Sequence, residues 1–318
     1  MSIAHLDVRF PAPRRDLHVV DDVSLELHEG EVLGLVGESG SGKSLTALAA
    51  LGLVPEPATV TGSISVAGHQ VVGASRSTLA AVRGRGAAMI FQNPGAALNP
   101  FFTIGGQLTE IVARQRNVGV GEARRILVAA FEEAQLADPA HALRRYPHQF
   151  SGGQLQRVMI ALAVACKPKL LIADEPTTAL DVTIQAQIVE TLRRLAAEQR
   201  LAILFITHDL GLVGALCHRV AVMYAGSIVE VSDVEAFFAA PRHPYSERLL
   251  SAVPRLGTSG ALATIPGQVP NPAARPAGCS FHPRCGFAQP ICVSQRPPLL
   301  AGPTGGAVAC HFPLAARA

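Results

Sequence analysis

The chain has 318 residues, of which 49% are hydrophobic, and its 27 basic and 24 acidic side chains leave a net charge of +3. This composition predicts an ordered globular protein, and the near balance of charge argues against a nucleic-acid partner. Apolar runs such as residues 158–166 are far shorter than the roughly 18 residues needed to span a bilayer, and no secretory signal opens the chain. We therefore expect a cytoplasmic chain with reduced cysteines.

The first part of the chain is predicted to be rich in β-structure. Residues 4–10 and 19–27 alternate apolar and polar side chains as half-buried strands do, and residues 31–36 read as a buried strand. An apolar helical segment follows at residues 45–53. Between this strand and this helix lies a glycine-rich loop, which is the most informative stretch of the sequence.

This loop, GESGSGKS, matches the phosphate-loop pattern GxxxxGK(S/T) without a mismatch. Glycines let backbone N–H groups approach phosphate oxygens, the lysine lies across the β and γ phosphates, and the final serine supplies a hydroxyl for Mg²⁺. The helix that follows directs its amino-terminal dipole at the phosphates. The predicted nucleotide-binding residues are Gly37, Glu38, Ser39, Gly40, Ser41, Gly42, Lys43 and Ser44.

The remaining elements predict strands and helices in alternation. The signal is mostly helical from about residue 95 to 150, and strand, helix and strand follow in the order expected of a parallel sheet. The predicted strands are 61–66, 87–91, 170–173, 202–207 and a final β segment at 220–231; the predicted helices are 77–83, 105–115, 121–136, 158–166 and 184–199. Beyond residue 241 frequent prolines limit long regular elements, so we expect a separate appendage.

Two carboxylates end the predicted strand at 170–173. Their position places Asp174 near the Mg²⁺ shell and Glu175 nearer the γ phosphate, where a general base can deprotonate water. An acidic pair at the end of a strand is otherwise often a helix cap or an ion-pair partner. The phosphate loop in the same chain favours the catalytic interpretation.

A second anion cradle is predicted between these two motifs. The string SGGQ, formed by Ser151, Gly152, Gly153 and Gln154, opens the apolar helix at 158–166. One chain rarely needs two cradles for one γ phosphate. This cradle is therefore expected to serve a nucleotide held by another subunit.

With Phe150 in front of it, this string resembles the LSGGQ signature of the ATP-binding cassette (ABC) family, with phenylalanine in place of the first leucine. The resemblance covers residues 30–230 and assigns three further residues. Gln92 resembles the loop glutamine that touches Mg²⁺ and water, Asp181 the aspartate at the dimer interface, and His208 the switch histidine at the γ phosphate. It also implies an aromatic that stacks on adenine, for which Phe10 and His18 are the candidates.

The resemblance implies a fold and a set of partners. The fold is α/β, with a P-loop NTPase (RecA-like) core, an antiparallel β subdomain, a helical insertion, and a small irregular cysteine-rich C-terminal appendage. The expected domains are a nucleotide-binding domain at 1–240, with its helical subdomain at about 95–165, and a C-terminal domain at 241–318. The expected partners are a second ABC ATPase in a head-to-tail dimer, two transmembrane permease subunits and an extracytoplasmic solute-binding protein. The second ATPase is expected to be a paralogue, with an identical chain as the alternative.

The segment HPYS at residues 243–246, followed by LLS at 249–251, resembles the oligopeptide and dipeptide permease branch. This implies an ATP hydrolase, with Mg²⁺, that drives peptide import from the cytoplasmic face of the inner membrane. The alternatives are a nickel or other small-solute importer of the same branch, and a soluble non-transport ABC ATPase. The second is disfavoured because the chain has neither a second cassette nor a long coiled-coil insertion.

Four cysteines, Cys279, Cys285, Cys292 and Cys310, fall within the last 40 residues. Thiolates in a reducing compartment favour a metal, and four sulfurs suit either zinc or a 4Fe–4S cluster. The spacing lacks the close pairs of most zinc ribbons. Because members of the permease branch are similar here and can carry a cluster, we expect 4Fe–4S, with Zn²⁺ as the alternative and His282 and His311 as substitute ligands.

Overall fold

The computed structural model describes residues 1–13, 15–178, 180–253, 265–302 and 306–314. Within these ranges, no helix combines the length and the apolar character that crossing a bilayer requires. The described strands are β1 Ser2–Phe10, β2 Leu17–Glu26, β3 Val32–Val36, β4 Thr59–Val66, β5 His69–Gln70, β6 Ala87–Ile90, β7 Leu170–Asp174, β8 Ala202–Ile206, β9 Arg219–Tyr224, β10 Ser227–Asp233, β11 Leu300–Ala301 and β12 Ala307–Val308.

The described helices connect and cover these strands. They are α1 Lys43–Ala50, α2 Arg76–Val82, α3 Ile104–Arg116, α4 Val120–Glu133, α5 Pro139–Ala142, α6 Gly152–Ala165, α7 Val182–Gln199, α8 Leu210–Leu216, α9 Val234–Ala239, α10 Pro244–Ser251 and α11 Pro290–Ser294. Helices α3 to α6 pack together through a row of buried apolar side chains that includes Leu108, Leu127 and Phe131. This cluster corresponds to the helical insertion that the sequence predicts.

The strands form two sheets. The smaller one is antiparallel, in the order β2-β1-β4-β5, and the larger one has the order β11-β12-β10-β9-β3-β8-β7-β6. In the larger sheet β9, β3, β8, β7 and β6 run parallel. All residues of β3, β7 and β8 are buried, which explains why these strands read as continuous apolar runs.

The parallel strands bring the predicted chemistry to one edge of the sheet. The phosphate loop follows β3, Asp174 ends β7, and His208 comes two residues after β8. The carboxyl ends of neighbouring parallel strands lie at the same edge of a sheet, where α/β proteins bind their ligands. Residues that are far apart in sequence therefore become neighbours here.

The predicted strand at 220–231 is two strands. Ala225 and Gly226 separate β9 from β10 with φ angles of 45° and 87°, and the two strands pair as a hairpin. Two residues in the left-handed conformation give the hairpin its sharp reversal, and glycine adopts this conformation without strain. The continuous apolar character of both strands conceals this turn from the pattern of hydrophobicity.

The C-terminal region is not separate from the rest of the fold, which corrects the expected appendage. Strand β12 pairs with β10, joining Val308 to Glu230, and so extends the main sheet. Tyr245 and Phe281 lie in the same buried cluster as the parallel strands. The region shares both sheet and core with the nucleotide-binding part, while the domain boundary near residue 240 stays a prediction.

Candidate active site

The phosphate loop is held in its curve by glycines at positions that exclude other residues. Gly37 has a φ of 151°, and a Cβ there would lie 2.1 Å from the carbonyl oxygen of Met223. Gly42 has a φ of 105° and precedes α1, which begins at Lys43. The helix therefore starts two residues earlier than the hydrophobic pattern indicates, and its first turn is formed by the loop's own lysine and serine.

Lys43 is almost completely buried and bonds to the loop itself. Its Nζ donates to the carbonyl oxygens of Gly37 at 2.8 Å and Glu38 at 2.9 Å. Burial lowers the pKa of Lys43, and the nearby carboxylates of Glu175 and Asp174 act in the opposite direction. The ammonium group is thus close both to the phosphate loop and to the two carboxylates predicted for Mg²⁺ and water.

Ser44 connects the loop to β7. Its Oγ donates to Oδ1 of Asp174 at 3.1 Å. Burial raises the pKa of Asp174, while the hydrogen bond from Ser44 partly offsets this effect. A hydroxyl and a carboxylate oxygen are ligands that Mg²⁺ prefers, so these two residues fit the predicted metal position.

Glu175 brings together two of the residues predicted around the γ phosphate. Its carboxylate accepts from Nε2 of Gln92 at 3.0 Å and from Oγ1 of Thr178 at 2.8 Å, and Oε1 lies 3.5 Å from Nδ1 of His208. Its φ of 47° lies in the left-handed region, which costs about 1 kcal/mol for a residue with a side chain. Glu175 directly follows β7, at the edge of the sheet where the phosphate loop also lies.

The signature residues begin helix α6 and make local capping contacts there. Ser151 caps α6 by accepting from the backbone N–H of Gln154 at 3.3 Å, and Gln154 accepts in return from the backbone of Ser151 at 3.1 Å. Ser151 and Gly152 are exposed. In the described part of the chain no hydrogen bond or ion pair links residues 151–154 to the phosphate loop.

Asp181 and His18 are two further residues to which the family resemblance gives a role. Asp181 caps α7 by accepting from the backbone N–H of Ile184 at 2.9 Å, so its structural role is clear and its place at a dimer interface stays a prediction. His18 is paired with Asp7 and lies 3.6 Å from Asp21. That ring is therefore engaged by carboxylates, and Phe10 at the end of β1 stays the candidate for stacking on adenine.

The C-terminal region supplies residues to the phosphate loop that the sequence analysis missed. The hydroxyl of Tyr245 accepts from the backbone N–H of Glu38 at 2.8 Å, and the guanidinium of Arg284 binds the Glu38 carboxylate at 2.8 and 3.1 Å. The hydrogen bonds to Glu38 and Tyr224 outweigh burial and raise the pKa of Arg284. No local sequence pattern links residues 246 positions apart.

The HPY segment has a physical explanation in this structure. His243 caps α10, and its Nδ1 accepts from the backbone N–H of Tyr245 at 3.0 Å. Burial lowers the pKa of His243 to about 3, so the ring is neutral and its Nδ1 is free to accept. Pro244 occupies the first helical position, where no N–H is needed. Together they aim Tyr245 at the phosphate loop.

The four C-terminal cysteines are free thiols around one small cavity of about 20 Å³. Burial raises the pKa of Cys279 and Cys285, and raises that of Cys310 to about 11. Among the described residues, the one group with three ligand atoms within 4.8 Å of each other is Asp7, His18 and Asp21, and it contains no cysteine. The sulfurs are thus not gathered closely enough to surround a single zinc ion.

The predicted substitute ligands are also occupied. Nδ1 of His282 lies 2.9 Å from the carbonyl oxygen of Cys279, and Nε2 of His311 lies 2.9 Å from that of Gln295. Each contact uses one ring nitrogen for the backbone. Each ring thus holds a nearby stretch of backbone in place through this hydrogen bond.

Comparison with known proteins identifies two matching families. Residues 20–178 match the ABC transporter family, and residues 229–292 match the oligopeptide/dipeptide transporter C-terminal region. The chain is 44% identical over 99% of its length to the oligopeptide transport ATP-binding protein OppD of Salmonella typhimurium, covering 94% of that protein. It is 43% identical over 99% of its length to the dipeptide transport ATP-binding protein DppD of Escherichia coli, covering 97%.

The solved structures support the fold. The dimeric structure of the ATP-binding cassette MJ0796 bound to ADP and phosphate superimposes with a TM-score of 0.66, at 24% identity, over 73% of this chain and 98% of that one. At this identity the likeness establishes the fold alone.

The comparisons overturn the expectation of an iron–sulfur cluster. The matching families and relatives are ordinary ABC ATPases, described by ATP binding and transport, and none of these descriptions contains a cluster. The 4Fe–4S prediction was wrong because it extended to this chain a property of some members of the permease branch that the descriptions of its relatives do not support. The matches instead agree with the phosphate loop, the signature and the HPY segment. The chain belongs to the ABC transporter family and is an ABC ATPase with an oligopeptide/dipeptide transporter C-terminal region.

Proposed function

We propose that this chain is the ATP-hydrolysing subunit of an ABC importer of oligopeptides or dipeptides, attached to the cytoplasmic face of the membrane through its permease subunits. The observation that carries the proposal is the convergence of the two halves of a hydrolytic site. Ser44 bonds to Asp174 at 3.1 Å, and Glu175 bonds to Gln92 at 3.0 Å beside His208. The names of the full-length relatives supply the solute class.

The proposed hydrolysis follows from these positions. The backbone of residues 37–42 and Lys43 bind the phosphates, while Ser44, Asp174 and Gln92 would hold Mg²⁺. The ion, when bound, neutralises charge on the phosphates. Glu175 orients a water molecule and accepts its proton, as a carboxylate does in general base catalysis. His208, whose ring is largely exposed, is free to contact the γ phosphate.

The exposed signature completes the proposal. Because Ser151 and Gly152 face solvent, this cradle is available to the nucleotide of an opposing ATPase subunit. Two subunits arranged head to tail would each bind ATP in the phosphate loop and close it with the partner's signature. Asp181 is proposed to lie at that interface. Closure would move the two permease subunits, and hydrolysis would reopen the pair while a solute-binding protein delivers the peptide.

The test is transport by the assembled complex. The chain is co-purified with its membrane subunits, placed in proteoliposomes with the solute-binding protein, and supplied with candidate peptides or Ni²⁺. We expect uptake of a peptide that requires ATP and disappears in the Lys43→Ala variant. Uptake of Ni²⁺ without any peptide would assign the solute class differently. ATP hydrolysis that needs no membrane subunit and supports no uptake would contradict the transport function.

A further inference from the structure

We infer that Arg284, in the C-terminal region, is a positioning residue for the phosphate loop and sets its affinity for ATP through Glu38. This inference rests on the proposed ATP site. It adds a residue from outside the ABC cassette to the machinery that shapes the phosphate loop. The C-terminal region would thereby couple its own docking to nucleotide binding.

The ion pair is fixed in geometry and shielded from water. Arg284 donates from both terminal nitrogens to the two carboxylate oxygens of Glu38, at 2.8 and 3.1 Å. The Arg284 side chain is 6% exposed and that of Glu38 is 23% exposed. A bidentate pair of this kind is stronger and more directional than a single contact between point charges.

Arg284 is itself held by three further hydrogen bonds, two within the C-terminal region and one to β9. Its guanidinium donates to the carbonyl oxygens of Pro266 at 2.8 Å and Ile265 at 3.2 Å, and to the hydroxyl of Tyr224 at 3.3 Å. These three contacts leave the planar guanidinium group little freedom to move with the phosphate loop. The guanidinium is therefore held in the position from which it binds Glu38.

The backbone of Glu38 is held from the same side. Tyr245 accepts from its N–H at 2.8 Å, and that ring is fully buried against Tyr224 and Phe281, at centroid distances of 4.6 and 5.3 Å. The carbonyl oxygen of Glu38 accepts from Nζ of Lys43 at 2.9 Å. A single loop residue thus joins the C-terminal region to the lysine that binds the phosphates.

Charge gives this contact a consequence for binding. Glu38 is the second residue of a loop that receives a polyphosphate, so an unpaired carboxylate there would repel the ligand. Arg284 neutralises it in a partly desolvated setting, where charge interactions exceed those in bulk water. Removing Arg284 should therefore weaken ATP binding, and removing the Glu38 charge as well should restore much of it.

The chain offers a matched control. Arg296 also fastens the C-terminal region to the cassette, donating to Oδ1 of Asp21 at 2.9 Å, and it makes no contact with the phosphate loop among the described residues. A variant at Arg296 removes another ion pair between the two regions, one that is more exposed and contacts a single carboxylate oxygen. It separates loosening of the region in general from the effect on Glu38.

The experiment measures the dissociation constant for ATP·Mg²⁺ by calorimetry on the full chain, with melting curves to establish folding. The variants are Arg284→Gln, the double variant Arg284→Gln with Glu38→Gln, and Arg296→Gln. We expect Arg284→Gln to weaken binding by about tenfold, the double variant to recover most of that loss, and Arg296→Gln to stay within about twofold of wild type. In the assembled complex the loss should fall on KM rather than on kcat.

Three results would overturn the inference: unchanged binding by Arg284→Gln, no recovery in the double variant, or an equal loss in Arg296→Gln. Arg284→Lys keeps the positive charge but cannot make the bidentate contact to Glu38. This variant replaces Arg284→Gln in the experiment if Arg284→Gln does not fold. It should bind ATP between wild type and Arg284→Gln, and binding equal to wild type would also refute the role of the bidentate contact. Failure of the wild-type chain to bind ATP would refute the proposed function instead.

Discussion

Replacing Glu175 with glutamine tests the assignment of the general base. The carboxylate accepts hydrogen bonds from Gln92 at 3.0 Å and Thr178 at 2.8 Å. Both bonds go to the same oxygen, Oε2, so an amide of the same shape whose oxygen takes that position keeps them. An amide cannot, however, take a proton from water. We therefore expect Glu175→Gln to keep the affinity for ATP while turnover at this site falls by about 10²- to 10⁴-fold. This corresponds to about 3 to 5 kcal/mol added to the barrier.

The assay compares variants in the assembled complex. ATP hydrolysis is measured for wild type, Glu175→Gln and Lys43→Ala, since the last reports the turnover that the second ATPase subunit contributes alone. Glu190→Gln is the matched control, because that carboxylate lies on the exposed face of α7 and pairs only with Arg193 among the described residues. Its effect should be negligible, since exposed pairs of this kind contribute a few tenths of a kcal/mol.

The expected result is that Glu175→Gln matches Lys43→Ala in turnover and wild type in ATP affinity. Turnover within about threefold of wild type, well above that of Lys43→Ala, would remove Glu175 from the role of general base. Loss of ATP affinity in Glu175→Gln would show instead that the carboxylate is needed to form the binding site.

The remaining predictions concern the metal position and the signature. Burial raises the pKa of Asp174, so this carboxylate should take up a proton at a higher pH than an ordinary aspartate, whose pKa is about 3.9. The Mg²⁺-dependent affinity for ATP should therefore fall as the pH is lowered towards that higher pKa, while Asp174→Asn should bind weakly at every pH. A wild-type affinity that does not change with pH in Mg²⁺ titrations would contradict this. A Cβ on Gly153 would lie 2.8 Å from Cγ2 of Ile184, against 3.7 Å to Leu180 for one on Gly152. Gly153→Ala should therefore lose about 1–3 kcal/mol of stability relative to Gly152→Ala, and equal melting temperatures would refute it.

Much of the site is predictable because its signals are local. Residues 37–44 carry their own glycine and lysine spacing, and Asp174 and Glu175 directly follow an apolar strand. Parallel pairing of β3, β7 and β8 then brings these segments together without any further information. The family resemblance adds Gln92 and His208, which have no signal of their own and which the structure places beside Glu175.

The C-terminal region is less predictable because its contacts are long-range. Arg284 lies in a proline-rich segment without hydrophobic periodicity, and its partner Glu38 belongs to a motif that the pattern leaves unspecified at that position. The HPY segment is recognisable by resemblance, but its reach to the phosphate loop depends on the packing of Tyr245 against Tyr224 and Phe281. The resemblance of the four cysteines to those of cluster-carrying members of the permease branch led to the wrong cofactor.

The central claim is that ATP bound by one phosphate loop is closed over by the signature of the opposing subunit. Gly152→Ala tests it most directly, since the added Cβ makes only an ordinary contact in the chain itself. We predict an unchanged ATP dissociation constant for the isolated chain and a fall in the turnover of the assembled complex by about tenfold or more. Weaker ATP binding by the isolated chain, or undiminished turnover of the complex, would contradict the claim.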